Sequence, residues 1–274
     1  MKLGFSPCPN DTYILYALVH RRVPFPEPVE PVLADVATLN AWALEGRLPA
    51  TKLSYAAFAR VREGYLGLAS GGALGRGVGP LVVAREDRPF EGARVAHPGE
   101  ATTAYTLFRL FMDGRPFTPV PMVYSAIMPA VERGEVDLGL IIHESRFVYP
   151  EHGLKKLLDL GEWWEATTGL PLPLGLIAVR RDLGEERARE LERAVRASLA
   201  YAREHEAEVW PYLRAHAQEL ADDVIRAHVG TYVNDFSQDL GEEGRRAVAE
   251  LFARMERAGL APRSDRPAFL PPER

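Results

Sequence analysis

Apolar residues along this chain switch repeatedly between two periods: short continuous or alternating runs that suit strands, and three-and-four spacings that suit amphipathic helices. Residues 3–6 predict a strand, 11–20 a helix, 31–36 a strand, and 38–44 a helix that Gly46 stops. The alternation continues with a strand at 50–53, a helix at 54–61 and a strand at 65–69 that runs into Ser70-Gly-Gly72. A continuous apolar run at 79–85 is followed by a charged, proline-containing turn at 86–90, where a boundary can fall. A second series then reads as strand 94–97, helix 102–112, strand 120–124, helix 125–133 capped by Ser125, and buried strand 136–143. The long apolar run 169–180 predicts a returning strand.

Beyond Asp182 the pattern changes to helices with Glu and Arg interleaved at helical spacing, over 185–205 and 242–258, as expected of an outer layer with solvated faces. The proline-rich end from Pro262 predicts an irregular segment along the surface. Two α/β blocks joined by a crossing and a returning strand predict an α/β fold of two lobes with a cleft between them. The larger lobe is expected to hold residues 1–85 and 178–274, and the smaller lobe residues 86–177. A single sheet of many strands has the same periodicity, so the pattern alone leaves that alternative open.

Composition narrows the class. The chain has 274 residues, 47% of them hydrophobic and 26% charged, enough for a sizeable core in an ordinary globular protein. Its net charge of -5 is spread without the basic face that phosphate backbones require, so nucleic acid is not an expected partner. Cys8 is the single cysteine, no apolar leader follows Lys2, and no run approaches the roughly 20 residues of a membrane span. The expectation is a cytoplasmic protein without a membrane partner. Basic residues are predominantly arginine, as in many thermophiles, although a GC-rich genome produces the same bias.

Candidate chemistry clusters where strands meet helices. Ser6-Pro-Cys-Pro-Asn-Asp-Thr12 is a proline-stiffened junction in which Asn10 is a candidate N-cap. In open α/β sheets such junctions gather ligands, but the same residues also make an ordinary capped turn. Similar junctions occur at Lys52-Leu-Ser-Tyr-Ala56, at Ser70-Gly-Gly72 and at Pro98-Gly-Glu-Ala-Thr-Thr103. In the last, Thr102 and Thr103 open a helix whose unpaired N–H groups and hydroxyls suit a carboxylate. His143 ends an interior strand and precedes Glu144, Ser145 and Arg146; it reads either as a base at a cleft or as a hydrogen-bonded core histidine. His97 is the reserve candidate at a comparable strand end, while His20, His152, His205, His216 and His228 are expected at the surface. Cys8, between prolines, reads as a packed thiol rather than a nucleophile. Trp163 and Trp164 suit packing in the core or at a hinge, or stacking on an aromatic substrate. No metal-ligand spacing, phosphate loop or dinucleotide fingerprint is present, which predicts chemistry without metal or cofactor.

In combination, Ser6-Pro-Cys-Pro-Asn-Asp-Thr12, Lys52-Leu-Ser54, Pro98-Gly-x-x-Thr-Thr103, Gly-Leu-Ile-Ile-His-Glu144 and Trp163-Trp-x-x-x-Thr-Gly-Leu-Pro-Leu-Pro-Leu-Gly175 resemble the 1,4-dihydroxy-6-naphthoate synthases of the futalosine route to menaquinone. The resemblance spans most of the chain up to the returning strand; the helical end matches in character only. It implies a fold like the two-lobed periplasmic solute-binding proteins, with two hinge strands. It also implies a cofactor-independent lyase that cleaves cyclic dehypoxanthine futalosine to 1,4-dihydroxy-6-naphthoate and a sugar-derived fragment, with the base at His143. Residues Asn10 and Asp11 are then expected to face the sugar portion, and Thr102 and Thr103 the carboxylate. Lys52, Ser54, Tyr55, Ala56, Ser70 and Gly71 are expected to complete the first wall. Two rivals share the fold: the chorismate dehydratase of the same pathway, expected to lack the Pro-Cys-Pro-Asn-Asp loop, and a solute-binding protein for a small carboxylate, which needs export.

Overall fold

The computed structural model describes residues 1–143, 145–217 and 221–271. Its strands are β1 (Lys2–Phe5), β2 (Glu30–Leu33), β3 (Ala50–Ser54), β4 (Tyr65–Gly67), β5 (Ala73–Gly75), β6 (Leu81–Ala84), β7 (Arg94–His97), β8 (Thr118–Pro121), β9 (Leu138–Ile141), β10 (Lys155–Asp159) and β11 (Leu172–Arg180). The helices are α1 (Pro9–Val19), α2 (Val36–Leu44), α3 (Tyr55–Val61), α4 (Thr103–Met112), α5 (Ile127–Glu132), α6 (Ser145–Val148), α7 (Leu160–Thr168), α8 (Glu185–Glu204), α9 (Glu206–His216), α10 (Asp222–Tyr232), α11 (Asp235–Gln238) and α12 (Gly241–Arg257).

Two mixed sheets result. One has the order β2-β1-β3-β11-β4, with β5 also paired to β11, and the other the order β10-β6-β9-β7-β8. Strands β1, β2 and β3 run parallel, as helical crossovers demand, whereas β11 returns antiparallel to β3, β4 and β5. The run expected to cross between lobes, 79–85, forms β6 and pairs with β10 and β9 in the second sheet. The chain therefore passes between sheets over residues 76–80, ahead of an expected boundary at 85, and β11 lies wholly in the first sheet. At this passage Gly79 presses against Gly161, at the start of α7: a Cβ built on Gly79 would lie 2.1 Å from the Gly161 nitrogen.

One apolar cluster extends from sheet to sheet, with Phe58, Val82, Val95, Phe108, Trp164 and Phe252 among its buried members. Trp164 is fully buried, and its indole N–H donates to the Pro171 carbonyl at 3.1 Å, so of its two expected roles it takes core packing. A second cluster packs the apolar stripes of α8 and α9 onto α1, through Leu191, Val195, Leu199, Val209 and Leu213. The charged faces of α8 and α12 point outward, as their patterning predicts.

Two local expectations are corrected. Ser125 makes no capping bond; Tyr124–Ala126 is a single 3₁₀ turn before α5, and the Tyr124 hydroxyl is drawn inward to the Ile142 backbone. The proline-rich end does not simply lie on the surface, because Phe269 and Leu270 are buried and the Gly67 N–H donates to the Ala268 carbonyl at 2.8 Å. Two apolar side chains in an otherwise polar tail are enough to dock it. Residues 272–274 of that tail lie outside the described residues.

Candidate active site

The cleft has two connected chambers. The inner, narrower one is walled by aliphatic side chains such as Val36, Leu39, Leu53, Val78 and Leu174, with Ser6, Asn10, Asp11, Lys52, Ser54, Thr102, Thr103 and Tyr232 adding polar atoms. The outer, wider one, about 550 Å³, is bounded by residues 6–8 and 35–38 on one side and by Pro98, Gly99 and residues 121–125 on the other. Ser6, Val36, Ile142 and His143 line both, so His143 stands where the chambers meet.

The stiff N-terminal junction acts through a buried ion pair. Pro9 occupies the first helical position, which suits its fixed φ and missing N–H, so α1 begins earlier than expected. The N-cap residue is Cys8 rather than Asn10, which turns its side chain inward within the first turn. The Asp11 carboxylate accepts from Lys52 Nζ at 2.7 Å and Asn10 Nδ2 at 2.9 Å on one oxygen, and from Ser6 Oγ at 2.8 Å and Ser6 N at 3.3 Å on the other. Lys52 also donates to the Gly71 carbonyl at 2.9 Å. Both charged groups are desolvated and satisfied by one another and by neighbours, the condition under which a buried pair persists. Asp11 thus braces the wall instead of offering an open oxygen to a ligand.

Ser54 occupies the N-cap position between β3 and α3 without making a side-chain capping bond; its N–H donates to Asn40 Oδ1 at 2.9 Å and its hydroxyl oxygen accepts from Asn40 Nδ2 at 3.0 Å, leaving the hydroxyl proton to donate. Asn40 Nδ2 also reaches the Ala101 carbonyl at 3.2 Å, linking the two walls. Sequence reasoning missed Asn40, although it lies on the buried stripe Leu39, Asn40, Ala43 of α2. On the facing wall the Thr102 hydroxyl donates to the Gly99 carbonyl at 2.7 Å and caps Tyr105 N, while Thr103 Oγ1 donates to the Leu174 carbonyl at 2.8 Å. Their hydroxyl protons are committed. The groups at this helix end that have no intrahelical acceptor are the Thr103 and Ala104 backbone N–H groups.

The remaining expected wall residues are set back. Ser70 is buried with its hydroxyl donating to the Glu192 carbonyl at 3.2 Å, and Gly71 faces Ile177 and Val195, so neither lines the chambers. Ala56 and Tyr55 lie in the core behind Thr103, where burial pushes the Tyr55 phenol well above its usual range.

His143 is half-buried and has a backbone φ of +52°, a left-handed conformation that is sparsely populated by non-glycine residues and clusters at functional sites. The Tyr124 hydroxyl holds the preceding Ile142 N–H at 3.2 Å, and Arg146 anchors the following turn to Asp159 at 2.9 Å. Glu144, between them, lies outside the described residues. The reserve candidate His97 is buried, stacks on Tyr105 at 3.9 Å and lines neither chamber; burial lowers its pKa. His228, expected at the surface, is instead fully buried, with Nε2 2.9 Å from Asn10 Oδ1 and its ring parallel to that of His143. Cys8 is partly buried at the outer chamber. Among the described residues no group of three or more His, Cys, Asp or Glu side chains could hold a metal ion, and no helix is long and apolar enough to cross a membrane.

Comparison with known proteins places this geometry. A family model described as menaquinone biosynthesis matches residues 1–257. A 1,4-dihydroxy-6-naphthoate synthase of Thermus thermophilus is 64% identical over 98% of this chain and 99% of its own length, and one of Streptomyces coelicolor is 46% identical over 96% and 95%. The crystal structure of Archaeoglobus fulgidus protein AF1704 superposes with a TM-score of 0.90 at 37% identity, covering 94% of this chain and 97% of that one. The ligand-binding component of a Staphylococcus aureus ABC-type importer superposes with a TM-score of 0.72 at 13% identity, covering 99% and 96%, which shows the periplasmic-binding-protein-like fold. The chain belongs to the menaquinone-biosynthesis family, as an enzyme of its 1,4-dihydroxy-6-naphthoate synthase group.

Proposed function

We propose that this enzyme is a cytoplasmic lyase that cleaves cyclic dehypoxanthine futalosine to 1,4-dihydroxy-6-naphthoate and a sugar-derived fragment, with His143 as the general base. The observation that carries the reading is the position of His143 at the junction of an apolar inner chamber and a wider outer one. The flat ring system would occupy the inner chamber, the sugar portion the outer one, and the bond between them would lie beside the imidazole. A base held there removes a proton near neutral pH, and aromatisation of the released naphthoate drives carbon–carbon cleavage.

The carboxylate is assigned to the N-terminus of α4, through the Thr103 and Ala104 N–H groups and the helix dipole, with the Ser54 hydroxyl as a further donor. Thr102 supports this site by shaping the helix end. The scheme uses neither metal nor cofactor, and a closed cleft would exclude water from the reacting carbons.

The test is to incubate the pure protein separately with cyclic dehypoxanthine futalosine and with chorismate and to follow naphthoate absorbance. Naphthoate from the first substrate alone is expected. Turnover of chorismate, or tight binding of a carboxylate without turnover, would replace this reading with the dehydratase or the solute-binding protein. Within the reading, His143→Ala is expected to fold normally and lose turnover; wild-type turnover in that variant removes the residue from the mechanism.

A further inference from the structure

His228 contacts neither chamber, yet it is tied to the cleft more tightly than a packing residue needs to be. The tie begins at the ion pair. An ionised Asp11 can only accept hydrogen bonds, so the Asn10 amide must present its nitrogen to Asp11 Oδ1, at 2.9 Å. That fixes the other end of the amide: Asn10 Oδ1 faces His228 Nε2 at 2.9 Å, and the His228 proton must sit on Nε2. One continuous buried chain, Lys52–Asp11–Asn10–His228, thus places a proton on Nε2 and holds that edge of the ring, in a histidine that lines neither chamber.

The plane of that ring is shared. The His228 and His143 rings are parallel within 4°, with centroids 5.8 Å apart, an offset arrangement within the range of favourable ring pairs. Tyr232 leans against both, at 4.8 Å from His228 and 6.4 Å from His143, and Tyr124 meets His143 edge-on at 5.9 Å. His143 needs such a frame, because its left-handed backbone persists only where its surroundings over-determine it.

We propose that His228 is a positioning residue for His143, passing the fixed plane of the Lys52–Asp11–Asn10 chain to the imidazole at the chamber junction. The proposal rests on the reading of His143 as the base. It assigns His228 no contact with substrate and no proton transfer of its own.

The test measures kcat and KM with cyclic dehypoxanthine futalosine for the wild type, His228→Gln, His143→Ala and the double variant, with single-turnover rates at high enzyme concentration for slow forms. Gln keeps a donor for Asn10, so the buried chain stays paired, but it removes the flat ring. The expected result for His228→Gln is a kcat loss on the order of 100-fold with KM changed by less than about twofold, because a misplaced reacting group costs rate rather than binding. In the His143→Ala background the same substitution is expected to change nothing further. Three results overturn the inference while leaving His143 as the base: wild-type kcat in His228→Gln, a raised KM at unchanged kcat, or an equal loss in both backgrounds. Wild-type kcat in His143→Ala instead overturns the base reading itself, and this inference with it. Should His228→Gln fail to fold by thermal melting, His228→Phe carries the test. It retains a flat ring but cannot donate to Asn10, so the buried chain no longer fixes its plane: a kcat loss of at least about tenfold with KM little changed is expected, and wild-type kcat would overturn the proposal.

Discussion

Removing the Lys52 charge tests the claim that the Asp11–Lys52 pair braces the cleft. In Lys52→Met the aliphatic stem survives, but Asp11 is left as a buried carboxylate with three hydrogen bonds and no counter-charge. The two side chains are 7% and 3% exposed, so water cannot replace the lost ammonium. Breaking one partner of such a pair costs about 3–5 kcal/mol, a large share of a total stability of about 5–15 kcal/mol. At about 2 °C or more per kcal/mol for a chain of this size, the melting temperature falls by roughly 10 °C. Urea titration followed by circular dichroism measures the difference directly. Adding Asp11→Asn removes the stranded charge, so the double variant is expected to recover about half of the loss. A Lys52→Met protein within about 1 kcal/mol of wild type would mean that the pair behaves like a solvent-screened surface bridge, and the bracing argument would fail.

Three further outcomes follow from the same structure. His97 is held neutral by burial, so its folded pKa lies below its unfolded value: the unfolded chain takes up the proton first, and stability falls as pH drops below about 6.5. Denaturant titrations at pH 7 and 5 should show that fall, and His97→Phe should reduce it. Thr102→Ala removes the cap on Tyr105 N and the tie to Gly99, so a stability loss of about 1 kcal/mol should accompany a raised KM, read from melting and steady-state kinetics. Gly79→Ala forces a methyl to within 2.3 Å of Gly161 Cα, backbone against backbone, and should destabilise by more than the roughly 1–3 kcal/mol of ordinary overpacking, measured as loss of soluble protein or melting temperature.

What was legible in the sequence, and what was not, divides along a physical line. Local signals carried most of the strand–helix alternation up to residue 143, the Gly46 stop, the start of a helix at Thr102-Thr103 and the place of His143 just after a buried strand, because each depends on neighbours within a turn or two. The sheet to which 79–85 belongs was not legible, since an apolar run reads the same in either sheet and only pairing partners 50 or more residues away decide it. Ser70 looked like a cleft residue because it follows a strand, but a carbonyl on α8 claims its hydroxyl. The inward position of His228 is written in the spacing of α10. Ile225, His228 and Tyr232 are spaced three and four apart and form the buried stripe of α10, a periodic signal that places a polar side chain inward and demands a partner for it. Asn40 carries the same signal on α2.

The fold is one that elsewhere supports ligand binding, and under the proposed reading of His143 as the base the difference between holding a ligand and transforming it lies in how that residue is held. A binding cleft needs donors of roughly the right kind, and helix N-termini such as that of α4 supply them from the backbone alone. A base must additionally keep its ring in place against thermal motion, within fractions of an ångström of the reacting atom. Here that requirement meets a backbone at φ +52°, which costs of order 1–3 kcal/mol and would relax if released. Three aromatic neighbours, the Tyr124 bond to Ile142 and the Arg146 bond to Asp159 oppose that relaxation from both sides of the residue. Tyr232 and Ile142 line the inner chamber and Tyr124 and Ile142 the outer one, but His228, Arg146 and Asp159 line neither, so ligand contact does not account for the whole arrangement. Rigidity at one imidazole does, and for that reason the rate, more than the affinity, should respond when the frame around His143 is loosened.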